Sequence, residues 1–278
     1  MSKLDGIGLG LRADMAPEFL EAMPQSVAFV EVHPENYMRR GGLYRSYLDR
    51  ARERYPVLTH GLTLCFGHSE PCDREYLSDL RAFLREVETP WHSDHLCFGG
   101  AGGAFAHDLL PIPFNEEALD TVVARLNEAR DATGVEIAFE NISYYAPQGP
   151  DPLDEARFCV AVLEKADAKI MLDVNNVFVN SRNLGFDPKA WIDMIPAERV
   201  VQMHVAGHLV RPDGLRIDTH GEPIPEGVYE LFEYTLRRIG PKPVLLERDN
   251  DIPPLADLLA EVERLDEIYQ RAVGERAA

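Results

Sequence analysis

One apolar run after another along this chain of 278 residues ends in a histidine or a carboxylate. VLTHG ends at His60, SDHL at Asp94 and His95, IAFEN at Glu140, IMLDVNN at Asp173, VQMHVAGH at His204 and VLLERD at Glu247. The loop IDTHG adds Asp218 and His220. A single buried histidine is usually a satisfied core group, and a carboxylate at a strand end usually caps the next helix. The repetition predicts something else, a set of parallel strands whose C-terminal tips converge on one polar, metal-binding site. Mixed nitrogen and oxygen donors without a thiolate suit Fe, Mn or Zn. His60, His95, Glu140, Asp173, His204, Asp218, His220 and Glu247 are too many ligands for one ion. Two or three ions bridged by carboxylates such as Glu140 and Glu247 fit the count. Carboxylates that close stay ionised together only if cations neutralise them. Such ions act as Lewis acids or activate water, and iron with open positions binds O2.

Further polar residues flank these ligands. EVHPENY carries Glu31, His33, Glu35 and Asn36 at the end of one run, and Glu31 or Asn36 could orient ligand histidines through outer hydrogen bonds. Asn141, Asn175 and Asn176 follow two of the carboxylates, and Asn176 either ligates through its carbonyl or only hydrogen-bonds. Arg12 closes the first run. His92 precedes Asp94 by strand alternation and reads as outward-pointing or as an extra ligand. His208, four residues after His204, reads as a loop residue that touches substrate. His68, His107 and Asp108 read as surface or loop positions.

These residues need a scaffold that brings strand ends together. Eight runs have strand length: 6–11, 27–32, 56–60, 90–95, 135–140, 169–174, 199–205 and 243–247. Their near-continuous apolarity suits strands buried on both faces. Helical patterns alternate with them at 15–23, 43–54, 73–88, 115–134, 151–166, 187–195, 226–240 and 253–273. Asn115 is placed to cap one helix and Gly134 to end it, and Pro152 and Pro188 stand in first turns. Eight strands alternating with eight helices predict an α/β chain folded as one (β/α)8 TIM barrel over residues 1–278, a single domain of the usual length for that fold.

Composition narrows the partners. The formal charge is −19, from 28 Lys and Arg against 47 Asp and Glu. A surface that acidic disfavours nucleic acid and anionic membranes, which require a surplus of basic residues. No apolar stretch approaches the roughly 18 residues of a membrane helix, and the N-terminal stretch has no signal-peptide core. Cys65, Cys72, Cys97 and Cys159 have no CxxC spacing and read as reduced, packed thiols. A cytoplasmic enzyme is expected.

At this level of detail the chain resembles a known family. GIGLGLR, FVEVHPENY, THGLTL, SDHL, LPIPF, FENISYY, LDVNNVFVNSRNLGFDP, HVAGH, IDTHG and LERDNDIP are similar to motifs of the multinuclear non-haem iron-dependent oxidative enzymes of the DUF692 family, from about residue 6 to residue 256. The resemblance implies a TIM barrel holding two or three Fe ions, cycling between Fe(II) and Fe(III), with O2 as co-substrate. It implies oxidation of a ribosomally synthesised precursor peptide, most often at cysteine, as in RiPP biosynthesis, often with a separate leader-peptide-binding protein. The family's iron ligands fall on His60, His95, Glu140, Asp173, His204, Asp218, His220 and Glu247, with Glu140, Asp173 and His204 at the catalytic centre. The alternative is a metal-dependent sugar isomerase or phosphodiesterase on a barrel of the xylose-isomerase or endonuclease IV type.

Overall fold

A computed structural model describes residues 4–101, 104–146 and 154–277. Eight parallel strands close into a barrel: β1 Ile7–Gly10, β2 Val30–Val32, β3 Val57–His60, β4 Trp91–His95, β5 Glu136–Glu140, β6 Lys169–Asp173, β7 Val200–Ala206 and β8 Val244–Glu247. Each strand pairs with its neighbours in sequence, and β1 closes the ring against β8. This is the (β/α)8 barrel expected from the eight apolar runs.

The helices are α1 Ala16–Ala22, α2 Gly42–Arg52, α3 Arg74–Val87, α4 Glu116–Thr133, α5 Glu155–Lys165, α6 Val174–Leu184, α7 Pro188–Met194, α8 Glu226–Ile239 and α9 Leu255–Ala277. Local chemistry explains their bounds. Asp73 accepts from the amides of Glu75 and Tyr76 at the start of α3, and Asn115 accepts from Ala118 N at the start of α4. Gly134 ends α4 with φ +69, a conformation glycine adopts without strain. Leu77, Leu80, Phe83, Leu84 and Val87 form the buried stripe of α3 against the barrel.

Three expectations are corrected. The first turn of α5 is at Glu155, capped by Asp154, and Pro152 lies outside the described residues. A helix that the runs did not predict, α6, starts directly after β6, with Asp173 as its cap: Asn176 N donates to Asp173 Oδ1 at 2.6 Å. Residues 107 and 108 are not loop but part of a hairpin, Phe98–Ala101 with Ala104–Leu110, inserted after β4. A second small hairpin, Leu209–Val210 with Arg216–Ile217, follows β7.

The barrel interior is layered along its axis. Residues two apart on a strand share a face, so Leu58 lies below His60, Phe29 below Glu31, Trp91 below Ser93 and His95, and Leu245 below Glu247. Phe29, Leu58 and Leu245 form a cluster of their own, with Trp91 against it. Gly8 makes room for this plug, because a Cβ there would lie 2.4 Å from the Phe29 ring. Polar groups occupy the layers above. The larger apolar core lies outside the barrel, between strands and helices.

One buried acid sits away from the barrel interior. Glu155 accepts from Trp191 Nε1 at 3.1 Å and from Tyr144 Oη at 3.5 Å, and burial pushes its carboxyl up to about 8. The folded chain therefore holds a proton between about pH 4.5 and 8 that the unfolded chain releases, so stability from this group falls as pH rises through that window. Glu155→Gln is expected to raise the melting temperature at pH 8, by a stabilisation on the order of 4 kcal/mol. The gain should vanish near pH 4.5 in thermal melts recorded across the range.

Candidate metal centre

The strand tips bring three groups of donor atoms together. In each, one donor atom from every residue lies within 4.8 Å of the others. His60, His95 and Glu140 form the first, Glu140, Asp173, His204 and Glu247 the second, and His220, Glu247 and Asp249 the third. Glu140 belongs to two groups and Glu247 to two, so the three positions form one chain. Register explains the adjacency: His95 pairs with Glu140 across β4 and β5, and Asp173 with His204 across β6 and β7.

At the first position Glu140 Oε2 lies 3.1 Å from His60 Nε2 and 3.2 Å from His95 Nε2. Ser93, on the same inner face as His95, fixes the other edge of His60 by a 2.9 Å contact to Nδ1. His33 contacts the His60 carbonyl at 2.9 Å. Burial and the nearby Arg12 and His60 push its own titration down to about 3, which keeps the ring neutral. At the second position His204 Nδ1 lies 3.0 Å from Glu247 Oε2, and its Nε2 lies 3.1 Å from Glu31 Oε2. Asn141 holds the Asp173 peptide from both sides, accepting from its N–H at 3.0 Å and donating to its carbonyl at 2.9 Å.

At the third position His220 has φ +49, a conformation that costs a non-glycine residue energy and places the ring between three carboxylates. Its Nε2 lies 2.7 Å from Asp218 Oδ1, and its Nδ1 lies 3.1 Å from Asp249 Oδ2 and 3.5 Å from Glu247 Oε2. Arg12 Nε donates to Asp249 at 2.7 Å. Asp218 also accepts from Asn175 Nδ2 at 2.7 Å and from Ser143 Oγ at 3.2 Å. Since Asn175 donates with its amide nitrogen, its oxygen accepts from His208 Nδ1 at 2.8 Å. Asn176 donates to the Asn141 carbonyl at 3.1 Å, which leaves its own carbonyl oxygen free to ligate.

The electrostatics suit a site that could hold cations. Burial first, then Glu140, Asp218 and Glu247, push the Asp173 carboxyl well above the usual range. Burial opposes charge on His204 and His220, but the carboxylates around them raise both well above the imidazole range. His95 is likewise disfavoured by burial and raised to about 9 by Glu140 and Asp94. Protons thus neutralise the cluster where cations would otherwise do so. Unpartnered buried atoms point the same way: Asp173 Oδ2 and Asn176 Oδ1 lack a hydrogen bond. Hard carboxylate and amide oxygens with imidazole nitrogens fit two or three first-row divalent ions.

Not every flanking residue is recruited. Asp94 and His92 lie on the outer face of β4. Asp94 accepts from the amides of Thr63, Leu64, Cys65 and His95, tying the loop after β3 to β4, and reaches His95 Nδ1 at 3.5 Å. His92 contacts Thr59 Oγ1 at 3.1 Å and belongs to none of the three groups. Asn36 lies in the turn Pro34–Asn36 and makes no hydrogen bond to the histidines of the groups. His68 accepts from Gly99 N at 2.9 Å beside the inserted hairpin. Two residues were missed. Asp249 is two positions beyond Glu247 on the same alternation, a signal present in LERDND. Gln202 stands two before His204 inside the barrel. The four cysteines are free thiols, and Cys65, Cys97 and Cys159 are buried.

A family model described as the RiPP precursor modification enzyme MbnB/TglH/ChrH matches residues 6–270. A UPF0276 protein of Anaeromyxobacter is 41% identical over 272 residues, covering 98% of this chain and 95% of its own. A UPF0276 protein of Rhizorhabdus wittichii is 44% identical, with 92% of each chain covered. The crystal structure of a xylose isomerase domain protein from Planctomyces limnophilus superposes with a TM-score of 0.61 at 14% identity, covering 99% of this chain and 100% of that one. At that identity the likeness is one of fold. Among the described residues no helix is long and apolar enough to cross a membrane.

Proposed function

Because the chain belongs to the family of RiPP precursor modification enzymes MbnB/TglH/ChrH, we propose that it is a multinuclear non-haem iron enzyme that uses O2 to oxidise a ribosomally made precursor peptide, at cysteine. The observation that carries this reading is the sharing of ligands, with Glu140 and Glu247 each common to two adjoining groups. Iron held there would supply a redox-active Lewis acid with positions open to O2 and to a substrate thiolate.

The chain's own residues divide the remaining work. His60, His95 and Glu140 would hold one ion, and Glu140, Asp173, His204 and Glu247 the central one. His220, Glu247 and Asp249 would hold the third, with Asp218 within reach, and Asn176 beside Asp173 could add its carbonyl oxygen. Ser93, Glu31 and Asn141 keep His60, His204 and Asp173 in place, as outer hydrogen bonds do for metal ligands generally. Arg12 offsets the charge of Asp249. His208, fixed by Asn175 through one nitrogen, keeps its other nitrogen for the substrate. A separate protein that binds the leader of the precursor belongs to the same reading.

The test is mass spectrometry of a cysteine-containing precursor peptide after incubation with Fe(II)-loaded protein in air and under argon, with O2 uptake followed in parallel. A mass change that requires O2 and maps to cysteine is expected. The same change without O2 would return the metal-dependent isomerase or phosphodiesterase reading to first place.

A further inference from the structure

Gln202 is a long amide on the inner face of β7, one layer below the donor groups, and the proposed chemistry gives it no task. Its hydrogen bonds have a direction that can be read without seeing a hydrogen. Trp91 Nε1 lies 3.0 Å from Gln202 Oε1. An indole N–H only donates, so the Gln202 atom facing it is the oxygen, and the NH2 must face the other way. That NH2 lies 2.6 Å from Glu31 Oε2. Glu31 therefore accepts at this oxygen, and the same oxygen lies 3.1 Å from His204 Nε2. Two acceptors cannot share that contact, so Nε2 carries a hydrogen. The 3.2 Å approach of Gln202 Nε2 to His204 Nε2 is then two donors converging on one carboxylate oxygen.

The consequence falls on the opposite edge of the ring. With Nε2 protonated, the neutral imidazole has its lone pair on Nδ1, 3.0 Å from Glu247 Oε2. Without metal a second proton fills that contact; a bound cation would replace it, and Nδ1 is the nitrogen that faces the central donor group. We infer that Trp91, Gln202 and Glu31 form a directional hydrogen-bond chain that fixes His204 in the Nδ1-ligating tautomer, which makes Gln202 a positioning residue for the central metal ion. The inference rests on the metal reading of the site.

All three links are buried or nearly so: Glu31, Gln202 and His204 are each 0% exposed, and Trp91 is half-buried at the apolar base of the barrel. Water cannot replace a missing donor there, so the geometry depends on the side chains themselves. Glu31 Oε1 has no hydrogen-bond partner, so its buried charge leans on Gln202 and His204 through one oxygen. Gln202→Leu keeps the shape but removes both links. It would leave Glu31 without its amide donor, so the carboxylate that holds His204 Nε2 is free to turn away and the ring with it.

The experiment is anaerobic titration of the full-length protein with Fe(II) alone, with bound metal read by elemental analysis and by Mössbauer spectroscopy of 57Fe. Gln202→Leu is expected to weaken one of the bound ions by about tenfold, the low end of what outer hydrogen-bond partners of ligands contribute. The doublet of that ion should change and the others stay as in the wild type. Trp91→Phe removes only the first donor and should give a smaller loss at the same ion, which keeps the inference testable if Gln202→Leu folds poorly. Wild-type affinity and spectra in both variants would overturn it, as would an equal loss at every ion. A wild-type chain that binds no metal would instead overturn the metal reading, and the inference with it.

Discussion

Glu140→Ala is expected to lose metal and all measurable peptide oxidation while the barrel stays folded. Glu140 joins the first and second donor groups, so its removal takes a ligand from both. Loss of activity should exceed the roughly 100-fold that removing an outer partner of a metal ligand can cost. The fold survives because the barrel rests on the apolar plug of Phe29, Leu58 and Leu245 below and on the strand–helix core outside. Relief of repulsion also favours the metal-free variant, since Glu140 is among the groups that disfavour charge on Asp173. Asp173→Ala should abolish activity equally but melt lower than Glu140→Ala. Asp173 also caps α6, and losing a cap costs about 1 kcal/mol. Cys159→Ser, in a packed thiol on α5, should leave turnover near wild type. Elemental analysis, thermal melts and peptide mass spectrometry on the three variants check this, and a Glu140→Ala protein with full metal and full activity would refute it.

Asp94→Ala is expected to produce the largest loss of stability. Its buried carboxylate accepts from four backbone amides, three of them in the loop after β3. Removing it leaves the amides of the buried Leu64, Cys65 and His95 without that partner, at a cost of about 3–5 kcal/mol. For a chain of this size the melting temperature should fall by roughly 10 °C. The sign with pH is fixed. Burial opposes the charge, but His95 and its neighbours hold the Asp94 carboxyl far below the usual range. Its contribution is therefore present at neutral pH and is lost as pH falls below about 4, where the unfolded carboxyl takes its proton. The gap between wild type and Asp94→Ala should narrow on acidification, and a constant gap would show that the loop is held by something else.

The barrel was legible because strands buried on both faces read as plain apolar runs. The ligands were legible because each interrupts such a run at its tip. What escaped depended on partners remote in sequence or on two roles in one residue. Asp173 ends β6 and caps α6 at once, so no loop separated them, and VNNVFVNSRNL is rich in residues with weak helix propensity. Gln202 looks like a stray polar residue inside a strand. Its meaning comes from Trp91, 111 residues away, and Glu31, 171 residues away. Asp249 is hard to single out because it follows the last strand in a charged stretch, although it continues the alternation of Leu245 and Glu247. Asp94 supports the site from outside, reaching His95 Nδ1 at 3.5 Å while it ties down the loop after β3. The alternation that turns Ser93 and His95 inward turns Asp94 and His92 outward, and that rule was available in the sequence.

The central claim is a chain of adjoining metal positions linked by Glu140 and Glu247. It is tested most directly by elemental analysis of the purified protein after anaerobic reconstitution with Fe(II) and removal of unbound metal. The three donor groups predict two to three iron ions per chain. At most one ion per chain under those conditions would contradict it.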